Sequence, residues 1–511
     1  MSEFMMSDPV RMHGQGRPQQ PACTDMATGQ HWSWKEWDNR IQQAMTVLVD
    51  DHGIRAGDRV AFVARNSADL LTLLLALERM AAVGVPLNHR LSPAEIGQIL
   101  ADCTPRLVIT DIARPLACGA DAGWTERPME VLREAMDRAA PARNRPMPPG
   151  ETLAMLVYTS GTSGRPKGVE ITRNNIYANA MNFAVLGETS SSSVSLCDAP
   201  MFHVIGLIPC LRSPMLFGGQ VIISHLFDPA RTNDWLSDPA LGVTHYFCVP
   251  QMAIQLRRQD NFEPDRWRTL KGLFTGGAPC PAEDIRWWLT RGIMMSNGVG
   301  MTETGTIMHV PLDPERIWTQ AGSAGLPGPL MSVAIVDTRG EALPDGEIGE
   351  ILVRGPGVTR AYWKQPEVTA AAFTPEGWFR TGDIGYRNEE GFITLSGRIK
   401  EMYISGGENV FPAEVEAVLL AHESVQDAAV VGMPDERWGE TGHAHIILHA
   451  GVDMQESEPA LRSHCQAHLA RYKVPSRFSF TRSLPRTASG KLLRYQLREE
   501  DDAEDTPRDD D

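Results

Sequence analysis

The chain has 511 residues, 42% of them hydrophobic and 22% charged, the composition of a globular protein long enough for more than one domain. A formal charge of −16 opposes association with nucleic acid, whose phosphates require a basic surface. The longest leucine-rich run, Leu70 to Leu77, is broken by Glu78 and Arg79 and falls far short of the roughly 20 apolar residues of a membrane span, so no bilayer crossing is expected.

Residues 1–20 lack the apolar core of a secretory signal, from which a cytoplasmic location is expected. The 8 cysteines are scattered without a Cys-x-x-Cys pair, which favours buried free thiols over disulfides or a cysteine zinc site. Strand-like runs at Val60–Ala64 and Arg106–Thr110 alternate with helical stretches at Ala68–Ala82 and Pro93–Ala101. That alternation predicts an α/β fold with mainly parallel sheets. The apolar stretch Leu153–Val157 leads into Tyr158-Thr159-Ser160-Gly161-Thr162-Ser163-Gly164-Arg165-Pro166-Lys167-Gly168, and a helical pattern follows near Asn174. The order reads as strand, phosphate loop, helix.

Further strands are predicted at Val221–Ser224 and His245–Val249. Between about 330 and 395 short strands (Ser332–Val336, Glu350–Arg354, Gly391–Leu395) alternate with turn residues and predict a β-rich subdomain. A compact α+β pattern follows Arg398, with helices at Pro412–Ala421 and Ser457–Ala470 and strands at Ala428–Gly432 and Ala444–Leu448. The expected division is therefore 1–399, 400–498 and an acidic tail, 499–511, read as solvated and disordered.

The chemistry begins in the loop after Leu153–Val157. Glycines at 161, 164 and 168 let backbone N–H groups approach an anion, the hydroxyls of Thr159, Ser160, Thr162 and Ser163 add donors, and Lys167 adds charge. A Walker loop needs Lys followed by Ser or Thr, whereas Lys167 is followed by Gly168, so the P-loop NTPase reading fails. With all its residues in order, the loop resembles the signature of the adenylate-forming superfamily: acyl- and aryl-CoA synthetases, adenylation domains of peptide synthetases and beetle luciferases.

Other segments resemble that superfamily in its order. Pro200-Met201-Phe202-His203 is similar to the segment whose His lines the acyl pocket, and Gly276-Gly277-Ala278-Pro279 to the wall against which adenine lies. Asn297-Gly298-Val299-Gly300-Met301-Thr302-Glu303 resembles the motif ending in Gly-x-Thr-Glu, although relatives usually carry at 299 a Tyr that stacks on adenine. A carboxylate beside a triphosphate suits Mg²⁺, which takes oxygen ligands, so Glu303 is the expected metal residue with the Thr162 hydroxyl as auxiliary. Thr381-Gly382-Asp383 and Arg398 resemble the ribose-fixing residues; taken alone they would be solvated turn residues. The glycines of Ser405-Gly406-Gly407-Glu408 suit a segment that changes backbone angles or lets a narrow ligand pass; the resemblance implies a hinge at Lys400 and a CoA channel at residues 405–408. Pro485-Arg486-Thr487-Ala488-Ser489-Gly490-Lys491 matches the motif whose lysine enters the site during adenylation.

The resemblance covers roughly residues 30 to 498. It implies two flavodoxin-like sheets and a distorted β-barrel, followed by a small mobile α+β domain. The implied activity is that of an ATP-dependent acid–CoA ligase using Mg²⁺, ATP and CoA, with Lys491, Glu303, Thr162 and His203 as the catalytic set. His203, Phe247, Gly276 and Met301 are expected to line a largely apolar acyl pocket, which points to a fatty acid of medium or long chain. An aryl acid, a carrier protein as acceptor, a homologue without catalysis and a homodimer remain open alternatives.

Overall fold

The structure is a computed structural model that describes residues 8–112, 123–143, 145–160, 166–278, 280–435, 437–486 and 492–505. Among these, a six-stranded sheet runs in the order Thr125–Pro128, Leu107–Thr110, Arg59–Val63, Val83–Pro86, Leu153–Ser160, Pro166–Thr172. Its strands are parallel except for the last pair. The nine-stranded sheet has a parallel centre of Met295–Met301, Gly272–Thr275, His245–Cys248, Val194–Cys197, Gln220–Ile223 and Pro21–Asp25. Antiparallel strands close both its ends. The mainly parallel strands are what the alternating pattern predicts, and two such sheets are what the resemblance implies.

Helix Ala68–Arg79, capped by Ser67 Oγ, carries the leucine-rich run. Leu70, Leu71, Leu73 and Leu77 are all buried, and so are Asp69, Thr72 and Arg79, so protein covers the helix on nearly every side. No helix among the described residues is long and apolar enough to cross a membrane. The seven described cysteines are free and buried, as expected, and Cys118 lies outside the described residues.

The β-rich segment forms a four-stranded antiparallel sheet, Ser332–Val336, Gly349–Arg354, Phe379–Arg387 and Ile393–Arg398, joined to the larger body through the Gly325↔Ile393 bridge. After the turn at 399–401 come a five-stranded sheet with Gly439–Leu448 at its centre and helices Pro412–Leu420 and Met454–His468.

Two local expectations are corrected. The chain does not pass from the phosphate loop into a helix: Pro166–Thr172 returns antiparallel along Leu153–Ser160, and the helix Arg173–Leu186 starts only after it, capped by Thr172 and Asn175. The two strands that flank the loop thus pair with each other, and residues 161–165 between them lie outside the described residues. The acidic segment from Glu499 is helical as far as Asp505 rather than a disordered tail. Leu497 and Asp501, one helical turn apart, are both 2% exposed against the small sheet. Residues 506–511 lie outside the described residues.

Candidate active site

In an open parallel sheet the carboxyl ends of the strands form the ligand crevice. The predicted motifs gather at that edge of the nine-stranded sheet: Pro200–His203 follows the strand ending at Cys197, Gly276–Ala278 the one ending at Thr275, and Gly298 continues past Asn297. His203 precedes the short helix Val204–Leu207, and its ring lies 4.7 Å from Phe202, which is 5.5 Å from His89. Its Nε2 is buried without a hydrogen-bond partner among the described residues. Burial, with Arg90 adding to it, pushes the imidazole down to about 4, so it stays neutral at physiological pH.

Two of the residues expected to line an acyl pocket, Phe247 and Gly276, lie close together. A Cβ on Gly276 would stand 3.5 Å from Phe247 Cζ, and one on Gly277 would stand 3.3 Å from Ile205 Cδ1 and 3.8 Å from Val249 Cγ1. Behind Phe247 lie Phe183 at 6.0 Å and then Phe274, 4.8 Å from Phe183. Met301, expected in this pocket, packs with Val299 on a different cluster that includes Ile307, Met308 and Ile351. The cause is strand geometry: beyond Asn297 the strand leaves its parallel neighbour and pairs antiparallel with Gly305–His309.

That antiparallel hairpin turns at Met301–Thr304 and carries Glu303 in its tip, with Thr302 beside it. Tyr362 Oη donates to Glu303 Oε1 at 3.0 Å, and the Thr359 N–H donates to the Glu303 carbonyl at 2.6 Å. Tyr362 is also bridged to Val169, the Trp363 N–H donates to the Gly168 carbonyl at 2.7 Å, and Lys167 Nζ lies 5.7 Å from the Tyr362 ring centre. Segment 359–363 therefore fastens the strand Pro166–Thr172 to the Glu303 turn. Burial, and then the Glu303 charge, push the Tyr362 phenol upward, so it remains a donor. Among the described residues the second Glu303 oxygen has no hydrogen-bond partner, a hard oxygen donor that fits Mg²⁺.

Helix Arg173–Leu186 supports the same junction with a stripe of buried asparagines that the sequence reading missed. Asn175 Nδ2 donates to the Pro356 and Val358 carbonyls at 2.9 and 2.8 Å, Asn179 Nδ2 to Gly357 at 3.1 Å, and Asn182 Nδ2 to Thr306 at 3.2 Å. Gly305 is obligatory at the hairpin, with φ +61 and Asn179 where a Cβ would stand. The signal in the sequence was amides at helical spacing on one face of an otherwise apolar helix.

Thr159 pairs with Lys167 and Ser160 with Pro166 at the mouth of the phosphate hairpin. Gly161, Thr162, Ser163 and Gly164 lie outside the described residues, as do Pro279 and Lys491. Arg486 and Leu492, which flank the Lys491 segment, are bridged to each other. Asp383 and Arg398 are cross-strand partners whose side chains form an ion pair at 2.8 Å. Asp383 is further set by its own N–H donating to Thr381 Oγ1 at 3.0 Å. Lys400 lies in the turn that follows, and the neighbouring Glu401 pairs with Arg494 at 2.8 Å. Gly406 and Gly407, with φ +62 and +86, make the two-residue turn of the hairpin between Tyr403–Ser405 and Glu408–Val410. A Cβ at 406 would meet the Trp438 ring at 2.6 Å.

Asp198, just beyond the strand Val194–Cys197, accepts from Thr232 Oγ1 at 2.8 Å and Tyr246 Oη at 3.0 Å. Complete burial nevertheless raises its carboxyl to about 7. An unfolded Asp ionises near ~3.9, so between that pH and about 7 the unfolded chain releases a proton that the folded chain keeps, and stability falls as pH rises through the window. Asp198→Asn cannot titrate. Denaturant unfolding at pH 5 and pH 8 should show a stability loss in the wild type that is smaller in the variant; equal slopes would mean that the carboxyl is ionised in the fold.

The sequence model of AMP-binding enzymes matches residues 10–363, and that of the AMP-binding enzyme C-terminal domain matches residues 414–491. The chain is 37% identical over 449 residues to a feruloyl-CoA synthase from Amycolatopsis sp, covering 87% of this chain and 89% of that one. It is 36% identical to a 2-succinylbenzoate–CoA ligase from Geobacillus kaustophilus, covering 90% of each. The structure superposes on ATP-bound MatB from Rhodopseudomonas palustris with a TM-score of 0.88 at 29% identity, covering 96% of this chain and 98% of that one.

Proposed function

The chain belongs to the AMP-binding enzymes, and from that membership we propose that its cleft activates a compact aryl carboxylic acid. It is an acyl-CoA synthetase, an acid–CoA ligase that binds ATP. The observation that carries the aryl assignment is the run of packed rings beside Gly276: Phe247 lies 6.0 Å from Phe183, which lies 4.8 Å from Phe274, and such rings suit a flat aromatic acid. The similarity to a feruloyl-CoA synthase supports the same class.

In this reading the acid's ring lies against Phe247, Ile205, Val249 and Gly276, with neutral His203 beside its carboxylate. A carboxylate oxygen attacks the α-phosphorus of ATP and pyrophosphate leaves, giving acyl-AMP. No general base is required because the nucleophile is already an anion. Thr159, Ser160, Gly161, Thr162, Ser163, Gly164 and Lys167 bind the polyphosphate. Gly277, Ala278 and Pro279 on one side and Asn297 to Thr302 on the other flank the adenine, and Asp383, oriented by Arg398, accepts the ribose hydroxyls. Glu303 and Thr162 would hold Mg²⁺, which supplies charge neutralisation on the phosphates. Lys491 places its ammonium where charge builds at the α-phosphoryl centre. Movement of the small domain about Lys400 then withdraws Lys491 and presents Ser405, Gly406, Gly407 and Glu408 to the pantetheine arm. The CoA thiolate attacks the acyl carbonyl and AMP leaves.

The apolar side walls, Ile205 and Val249, favour a fatty acid as the second reading. Acid-dependent pyrophosphate release across benzoates, hydroxycinnamates and medium- and long-chain fatty acids separates the two. Aryl acids are expected to exceed fatty acids by at least about tenfold in kcat/KM, and the reverse order overturns the aryl assignment.

Val299→Tyr should add stacking on adenine worth about 0.5–1.5 kcal/mol and lower the KM for ATP by up to about tenfold, with acid preference unchanged. A raised KM for ATP would mean that the packing of Val299 beside Ile307 and Met308 does not admit a ring.

A further inference from the structure

Away from the cleft, strand Gly439–Leu448 carries His443 and His445 on one face, because alternate residues of a strand point the same way. Their rings lie 4.2 Å apart. The final helix Arg494–Asp505 lays Asp501 over them, with side-chain exposures of 1% for His443, 8% for His445 and 3% for Asp501. His443 Nδ1 lies 2.8 Å and His445 Nε2 3.2 Å from the same oxygen, Asp501 Oδ2. On the far side of the first ring, His443 Nε2 lies 2.8 Å from Ser479 Oγ.

A buried carboxylate needs compensating positive charge, and here two imidazole nitrogens converge on one of its oxygens. Either a proton on an imidazole or a cation shared by all three groups supplies that charge. We infer that His443, His445 and Asp501 form a binding site for one divalent transition-metal ion of the Zn²⁺ or Co²⁺ type. One ligand atom from each residue lies within 4.8 Å of the others. A tetrahedral ion about 2.0–2.1 Å from each ligand requires separations of about 3.3 Å, close to the 2.8 and 3.2 Å already present. Two imidazoles and one carboxylate select zinc-like ions over Mg²⁺, which prefers oxygen, and leave a position for water. Ser479 is the outer partner: with the Nε2 proton donated to its hydroxyl, the Nδ1 lone pair of His443 faces the ion. The bound ion clamps the final helix, which begins shortly after Lys491, onto the small sheet.

The test uses the tag-free full chain, chelator-treated and then titrated with Co²⁺ and Zn²⁺ under saturating Mg²⁺, so that Glu303 does not compete. One tight equivalent is expected, with the visible absorption of low-coordinate Co²⁺ and a raised thermal midpoint. Asp501→Asn and His445→Gln should each weaken binding by at least about tenfold. His468→Gln, in the separate His422–His464–His468 cluster, should leave it unchanged. Absence of a bound equivalent in the wild type, or binding abolished by His468→Gln and not by His445→Gln, would overturn the assignment and leave the cluster a hydrogen-bonded latch. The wild-type titration decides the question even where Asp501→Asn does not fold.

Discussion

Glu303→Gln should lower the rate of acyl-AMP formation by about 10²-fold or more, with a higher Mg²⁺ concentration needed for half-maximal rate. The amide oxygen can still accept the Tyr362 hydroxyl that holds Oε1 at 3.0 Å, and the backbone bond from Thr359 is untouched, so the turn should survive. What disappears is the negative charge on the oxygen that would face the cation. Tyr362→Phe makes the complementary change, losing the orienting bond while keeping the charge, and should cost only about three- to tenfold, the value of one hydrogen bond. Initial rates against Mg²⁺ for both variants check this. Equal losses in the two, with an unchanged Mg²⁺ requirement, would show that Glu303 serves the hairpin and not the metal.

Lys491→Ala should reduce adenylation by about 10²-fold or more, because an ammonium that meets charge only as it builds stabilises the transition state and little else. Thioester formation from supplied acyl-AMP and CoA should be retained, since that half-reaction is assigned to the arrangement in which Lys491 has been withdrawn. Single-turnover assays of each half-reaction make the comparison. Equal loss in both would contradict the assignment of two arrangements to one site.

Where the sequence was legible, one segment carried the whole signal. Ser332–Val336 was found with the limits predicted, and Val60–Ala64 and His245–Val249 within a residue, because short apolar runs between turn residues leave little choice of register. The returning strand Pro166–Thr172 was missed because its first residues, Pro166, Lys167 and Gly168, also complete the phosphate signature and read as loop. Tyr362 and the stripe Asn175, Asn179, Asn182 were invisible for another reason. Their partners are turn residues and backbone carbonyls far away in the chain, which leave no local pattern. Asp501 was hidden by composition: an acidic run suggests solvent, and only the fold places the Asp501 carboxylate against His443 and His445.

Acyl-AMP formation before thiol transfer is tested most directly by ATP–pyrophosphate exchange in the absence of CoA. Label from pyrophosphate should enter ATP only when a carboxylic acid substrate and Mg²⁺ are present, and adding CoA should drain the exchange into AMP and thioester. Exchange that needs CoA, or consumption of ATP that yields ADP and phosphate, would contradict a two-step ligase at this site.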